Sequence, residues 1–516
     1  MTLRSTAERT VVRRGDDLVT GPGEPHVARA DLGGEPTELR GRGSRVLLRI
    51  LHLTDLHVMD AASPARAEWV EQRADDPRWQ PLLHMHRPYE ALANWGTAEL
   101  LGGVASWAGE PIELAVTSGD CIDNAQANEL DAFLAVMDGG RFAFPYAGPL
   151  ENAWRERLDA VSFTEAGGSR APGPTPRYGA GGRDRAWTFW TPEDPSPDRW
   201  KRDFGFPHLP GLLAAISDEI RAVGIGIPWL GVLGNHDVMR QGTAWTTPAL
   251  EAIATGSWKA AGPADRQYED PVSDYLVAPH DLSSGYPRFP VVADPDRRAI
   301  SAEEFIRAHA ARRHGFPEGA TTEQGDYVTD TAGGVRVVVL DTNHPSGNFQ
   351  GSVGDSQLAW LGDRLAEAAD RPCVAVTHHG GAALINTYGV ARRDTADLEA
   401  VLHRHGNVVA WLSGHRHVHR VRPCPDPSGR TSGFWEITTG SLIDWPCQGR
   451  IVEIVAGPHG RVGVVTTVVD HDAGEWIGRG DRWLAALHRD LAERFSRSER
   501  VDRPGRPTDR NALLAR

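Results

Sequence analysis

The chain has 516 residues, with 55 Lys and Arg against 69 Asp and Glu, a formal charge of −14 and a pI near 5.8. That length builds one large elaborated domain or two to three ordinary ones. The acidic balance disfavours a protein held on nucleic acid or an anionic membrane by bulk charge, although a local basic cleft stays compatible with it. Four cysteines, Cys121, Cys373, Cys424 and Cys447, show no paired CxxC spacing and read as reduced thiols. No stretch reaches the roughly 18 apolar residues of a membrane span. The expectation is a cytoplasmic protein with no membrane partner.

Residues 1–44 read as an irregular N-terminal arm, and 45–470 as the main domain. Arg45 to Leu53 is a predicted strand that runs into Asp55-Leu56-His57, an Asp and a His two apart that can close on one cation from the same side. His84-x-His86 looks similar but follows no strand, and is read as surface or loop. Leu92, Trp95, Leu100 and Val104 carry helical spacing within Pro88 to Trp107. Ile112 to Thr117 is a second strand, ending in Gly119-Asp120, followed by a helix with Leu130, Phe133, Leu134 and Met137 on one face. Glu129 and Asp131 read as its solvated side. Strand, helix, strand with short links is the pattern of a parallel sheet.

Residues from about 139 to 226 turn rich in Gly, Pro and Arg, with aromatics at no regular period and one predicted helix, Pro210 to Val223. They form a first insertion and a possible cap. The apolar run Pro228 to Leu233 then ends in Gly234-Asn235-His236-Asp237, polar groups delivered to the carboxyl edge of a sheet. A second loop-rich insertion covers about 240–325, broken by a helix from Ala302 to Arg312. Regular structure resumes with a strand at Val335 to Asp341, a helix carrying Leu358 and Leu365, and a strand at Cys373 to Thr377 that delivers His378-His379. A helix at Asp397 to His403 and a strand at Val408 to Leu412 lead to Gly414-His415-Arg416-His417. Short alternating strands follow to Val468 and suggest a second sheet. The span 471–516 reads as an amphipathic helix, which docks on the body, and an irregular tail from Arg503.

Five apolar strands thus end in metal-competent groups: Asp55 and His57, Asp120, Asn235 and His236, His378 and His379, His415 and His417. With these motifs, and with Gly119-Asp120-x-x-Asp123, Gly234-Asn235-His236-Asp237 and Gly414-His415-x-His417, the chain resembles the calcineurin-like metallophosphoesterase superfamily, its cyclic-nucleotide phosphodiesterase branch most of all. The resemblance runs from Asp55 to His417 and leaves both insertions uncovered. It implies an α/β fold, a four-layer αββα sandwich of two mixed sheets flanked by helices, with the insertions at the active-site edge.

It further implies two metal ions, manganese, iron or zinc. Asp55, His57 and His417 would hold one, Asn235, His378 and His415 the other, and Asp120 would bridge them. Two cations roughly 3.5–4 Å apart repel, so a shared carboxylate between them is needed, and a bridging hydroxide would attack phosphorus. His236 would stabilise phosphoryl charge or protonate the leaving oxygen, and Asp237, next in the chain, is expected to orient it. Purple acid phosphatases carry a tyrosine where this chain has Asp123, so a purple ferric site is not expected. His378 is taken as the ligand of its pair, with His379 the alternative; His419 is expected to be solvated or to lie behind the ligands.

The expected function is hydrolysis of a phosphodiester or phosphomonoester of a small molecule such as a nucleotide. One alternative is a nuclease of the same superfamily, kept open by Arg170, Arg177, Arg183, Arg185 and Lys201 interleaved with Trp187, Trp190 and Trp200. The other is a binding module that kept the fold and lost the chemistry; its mark would be missing ligands, and none is missing.

Overall fold

The strand Arg336–Leu340 shows how alternation builds the protein. Val337 and Val339 face one apolar core, while Val338 and Leu340 face another. Side chains of period two place one set on each face of a sheet, so a strand apolar throughout is a strand buried on both sides. The computed structural model describes residues 1–144, 190–195, 197–264, 267–285, 288–319, 325–474, 480–497 and 501–516.

Among these residues, the sheet containing Arg336–Leu340 has six strands in the order Tyr327–Asp330, Arg336–Leu340, Cys373–Thr377, Val408–Ser413, Phe434–Thr438 and Arg420–Cys424. The four inner strands are parallel and the two edges antiparallel. A second sheet of eight strands is built around Arg45–Leu53, which runs parallel to Leu114–Thr117 and, through it, to Trp229–Gly231. On its other side Gly449–Ala456 and Val462–His471 run antiparallel.

One core is shared by the facing sides of both sheets, with Ile50, Val116, Val232, Val374, Leu412 and Ile437 among its members. The outer face of the six-stranded sheet is covered by the helices Asp355–Glu367 and Thr395–His403 through Leu361, Leu365, Leu398 and Leu402. Ala93–Val104 and Ala127–Asp138 pack on the larger sheet. Two mixed sheets flanked by helices are therefore present, as the motifs implied. No helix among the described residues is long and apolar enough to cross a membrane.

Several expectations are corrected at the periphery. The arm 1–44 is not irregular: Leu3–Ser5 pairs with Val462–His471, Val27–Arg29 pairs with Ala512–Leu514, and Arg9–Arg14 with Asp17–Pro22 forms a hairpin. The tail is likewise ordered, since Ala512–Leu514 pairs with Val462–His471. Three-residue strands have no pattern of their own; a neighbouring strand with open backbone groups makes them. Pro210 to Val223 is not one helix either, but a turn of helix, Leu212–Ile216, followed by the strand Ile220–Ala222. Glu129 is buried rather than solvated, accepting the backbone N–H groups of Asp60 and Asn124.

Leu212, Leu213 and Ile216 join Trp190, Trp200 and Phe206 in a satellite core against Leu484, Leu487 and Leu491 of the helix Trp483–Ser496. The C-terminal helix is thereby docked. Arg170, Arg177, Arg183, Arg185 and Trp187 lie outside the described residues. Trp190 and Trp200 are buried in the satellite core, and Lys201 is paired with Asp198 at 2.9 Å.

The edge strand Tyr327–Asp330 is entered through Asp326, whose Oδ1 accepts the Asp341 N–H at 2.8 Å and the Gln357 amide at 2.9 Å. Burial, reinforced by the neighbouring Asp341 carboxylate, pushes the Asp326 carboxyl up from 3.8 to about 7. Between those two values the folded protein keeps a proton that the unfolded chain has released. Stability should therefore fall as pH rises from about 4 to about 7 and level off above it. Asp326→Asn is expected to flatten this slope and stabilise the protein at pH ~8 relative to wild type. Urea midpoints across that range check it, and an unaltered slope would refute it.

Candidate metal centre

The carboxyl ends of five parallel strands, three from one sheet and two from the other, deliver their polar residues to one buried place. Among the described residues, ten that are not glycine have positive φ, and five of them are Asp55, His57, Asp120, His415 and His417. Non-glycine residues adopt this conformation only where the surroundings impose it, and it clusters at functional sites. Two motif glycines permit the close approach of the loops. A Cβ on Gly234 would lie 2.2 Å from the Asp120 carboxylate, and one on Gly414 would lie 1.9 Å from Thr54 Oγ1.

Each carboxylate is tied by one oxygen and presents the other. Asp55 Oδ2 accepts Thr54 Oγ1–H at 2.7 Å and the His415 N–H at 3.0 Å. Asp120 Oδ1 accepts the His236 N–H at 2.8 Å, while Oδ2 lies 3.2 Å from His378 Nε2 and 3.8 Å from His57 Nε2. The rings are fixed from behind in the same manner. His378 Nδ1 donates to Ser118 O at 2.8 Å, His57 Nδ1 to Asp123 Oδ1 at 2.9 Å, and His417 Nδ1 to Asp444 Oδ2 at 2.6 Å. That anchoring turns each Nε2 inward, the atom that a neutral ring offers to a metal.

The inward atoms form overlapping groups of candidate ligands: Asp55, His57 and His417; Asp55, Asp120 and His378; His378, His379 and His415. Asp120 Oδ2 stands between the first and the last. Asn235 Oδ1 lies 2.9 Å from His378 Nε2 and 3.1 Å from His415 Nδ1, with its amide anchored on Gly242 O. All seven residues singled out from the sequence as ligands are brought together.

A cation fits this centre on the chemistry of its donors. Asp55 Oδ1 and His57 Nε2 are buried without a hydrogen-bond partner. His417 Nε2 is 2.9 Å from Asp55 Oδ1, close enough for the two atoms to share one proton or one cation. Buried polar atoms left this way are costly, and a shared cation satisfies them. Burial, with His236 beside it, lowers His57 to about 4. Burial also opposes charge on His378, but the Asp120 and Asp55 carboxylates overcome it and push His378 up to about 9. Binding of a cation would displace that proton. The donors are oxygen and imidazole nitrogen with no thiolate, a set suited to manganese, iron or zinc.

Both nitrogens of His379 are engaged outside the centre, Nδ1 with Thr342 Oγ1 at 2.9 Å and Nε2 with Phe349 O at 3.2 Å, whereas His378 Nε2 faces Asp120 and Asn235. His419 is buried behind the site, accepting from Gly440 N and Arg450. Asp237 is a correction. Its carboxylate does not reach the His236 ring; it accepts the backbone N–H groups of Gly234, Cys121 and Ile122 and so staples two strand ends together. His236 is oriented instead by Asp123, whose backbone oxygen accepts Nδ1–H at 2.7 Å and whose Oδ1 lies at 3.3 Å.

His84, read from sequence as loop, is in the site: its ring centroid is 5.9 Å from that of His236 and 5.6 Å from that of Phe349. Sequence gave no sign of Asp444 either, which holds His417 while accepting from Arg87, Tyr89 and Arg503.

Comparison with known proteins adds a local likeness. Over 86 residues the chain is 40% identical to a cAMP/cGMP dual specificity phosphodiesterase of Mycobacterium tuberculosis, a match covering 16% of this chain and 26% of that enzyme. No family model matches the chain. Among solved structures, a dimetal phosphatase from Danio rerio aligns over 82% of this chain and 99% of its own, at 14% identity and a TM-score of 0.33. The Plasmodium protein GAP50, the anchor in the inner membrane complex, aligns over 86% and 94% at 13% identity and a TM-score of 0.25. Both likenesses are too distant to bear on the fold or the activity.

Proposed function

We propose that the chain is a binuclear-metal-dependent hydrolase of phosphoric esters, with a small phosphodiester such as a nucleotide as its substrate class. The observation that carries the proposal is the pair of inward-facing ligand groups that meet at Asp120 Oδ2. Asp55, His57 and His417 would hold one cation, Asn235, His378 and His415 the other, and Asp120 both. The two cations, when bound, would supply Lewis-acid neutralisation of phosphoryl oxygens and a water acidic enough to attack at neutral pH. His236, held at Nδ1 by Asp123, presents Nε2 to the site and would donate the proton that the leaving oxygen needs. His84 and Phe349, beside it, would flank the leaving group.

The diester preference rests on the local relative, which is named for hydrolysis of cyclic nucleotides. Of the residues that keep the nuclease alternative open, Arg170, Arg177, Arg183, Arg185 and Trp187 lie outside the described part of the chain. A cytoplasmic setting is also proposed, because all four cysteines are unpaired and buried.

Metal-stripped protein reloaded with manganese, zinc or iron, assayed on bis(p-nitrophenyl) phosphate beside p-nitrophenyl phosphate, tests the function. Diester turnover that appears with metal and disappears with chelator is the expected result. Turnover of the monoester alone would make the protein a phosphatase. Two bound metals with no turnover of either ester would favour the binding module.

A further inference from the structure

Behind the site lies a buried ionic cluster that the mechanism above does not use. Arg66 is 1% exposed. Its Nη1 meets Asp123 Oδ2, its Nη2 lies 2.8 Å from Glu90 Oε2 and 3.4 Å from Met85 O, and its Nε donates to Glu68 Oε1 at 3.1 Å. Glu68 also takes the ammonium of Lys259, which is fully buried and donates to Ala61 O at 2.7 Å. Lys259 belongs to the short strand Trp258–Ala260 of the second insertion.

We infer that Arg66 is a positioning residue that sets the two site histidines through Asp123, and that the second insertion buttresses it through Lys259 and Glu68. The inference rests on the phosphoesterase reading. Asp123 is the shared element: its Oδ1 accepts His57 Nδ1–H, its backbone oxygen accepts His236 Nδ1–H, and only Oδ2 is left for an outside anchor. Three carboxylates, Glu68, Glu90 and Asp123, converge on one guanidinium. A planar fork with five N–H groups serves all three in fixed directions, which a lysine ammonium on a flexible stem does not. Without that fork Asp123 keeps a buried charge with no cation on Oδ2, and its carboxylate is free to turn. His57 would then lose the partner that points Nε2 inward, and His236 the backbone segment that holds its ring. The second insertion thus contributes a strut to the catalytic histidine, whatever else it covers.

The test compares wild type, Arg66→Lys, Asp123→Asn and the double variant by manganese affinity in titration calorimetry, by kcat and KM on bis(p-nitrophenyl) phosphate at saturating metal, and by melting temperature. Arg66→Lys should weaken manganese about 10-fold or more and lower kcat by a similar factor with KM little changed, the usual scale for partners behind a ligand. Because Arg66 acts through Asp123, the double variant should be no worse than Asp123→Asn within about twofold. Wild-type affinity and kcat in Arg66→Lys, or losses that multiply in the double variant, would overturn the inference. If Arg66→Lys does not fold, Glu90→Gln loosens the guanidinium without touching Asp123. It should lower kcat about threefold or more, again without adding to Asp123→Asn, and an unchanged kcat would overturn the inference equally. A wild type that binds manganese but hydrolyses no ester would defeat the phosphoesterase reading alone, since the metal affinities still decide the role of Arg66.

Discussion

Asp120→Ala is expected to abolish metal-dependent ester hydrolysis, lowering kcat on the order of a thousandfold or more. Its Oδ2 lies 3.2 Å from His378 Nε2 and 3.8 Å from His57 Nε2, one ring from each ligand group. Removing it leaves two cations without the anion that lets them sit side by side. The accompanying signature is stoichiometry: metal analysis should fall from two ions per chain toward one or none. In the metal-free protein His378 should also lose most of its raised proton affinity, because the Asp120 carboxylate is the largest of the charges that hold it up. Proton release on metal binding, read as the buffer dependence of the calorimetric enthalpy, should shrink accordingly. Retention of two metals and of turnover would show that Asp120 does not bridge.

His236→Ala should produce a different pattern. Its ring is fixed at Nδ1 by Asp123, and it belongs to neither of the assigned ligand sets. Both metals should therefore remain bound while kcat falls roughly a hundredfold to ten-thousandfold, the range for loss of a positioned acid or base. The loss should be largest for poor leaving groups, which need the proton, and smallest for p-nitrophenolate, which does not. Equal losses across leaving groups would assign His236 to charge stabilisation alone. Asp237→Asn, by contrast, should act on stability, since that carboxylate accepts three backbone N–H groups and leaves the imidazole untouched.

How much of the site could be read from sequence depended on distance along the chain. Asp55, Asp120, Asn235, His378 and His415 each follow an apolar strand within a few residues, so a local pattern carried them. Period-two burial fixes where a strand ends, and a strand end in a parallel sheet is where ligands collect. Asp237 shows the limit of that logic. Adjacency suggested that it orients His236, but neighbouring residues in a turn point different ways, and the partner is Asp123, 113 positions away.

Asp444 and Arg87 meet across 357 positions, and Arg66 and Asp123 across 57. No periodicity marks any of them, because a charged residue in a loop looks the same whether it is solvated or buried in a pair. Glu129 was misread for that reason. In the first turn of the helix Ala127–Asp138 an acid is favoured by the helix N-terminus and reads as exposed. Only the packed chain shows it taking the N–H groups of Asp60 and Asn124.

By itself, then, the sequence determined the alternating α/β pattern, the strand ends and the set of candidate ligands, because these follow from local alternation and from residue chemistry at fixed spacing; the layered sandwich was implied by the motif resemblance. The tertiary structure decided the rest: which residue orients His236, and how the arm and tail become strands. It also decided that the second insertion reaches the site through Lys259, Glu68 and Arg66. Those outcomes depend on hydrogen bonds and ion pairs between segments far apart in the chain, which form only once folding has buried them together and excluded the water that would otherwise satisfy each group alone.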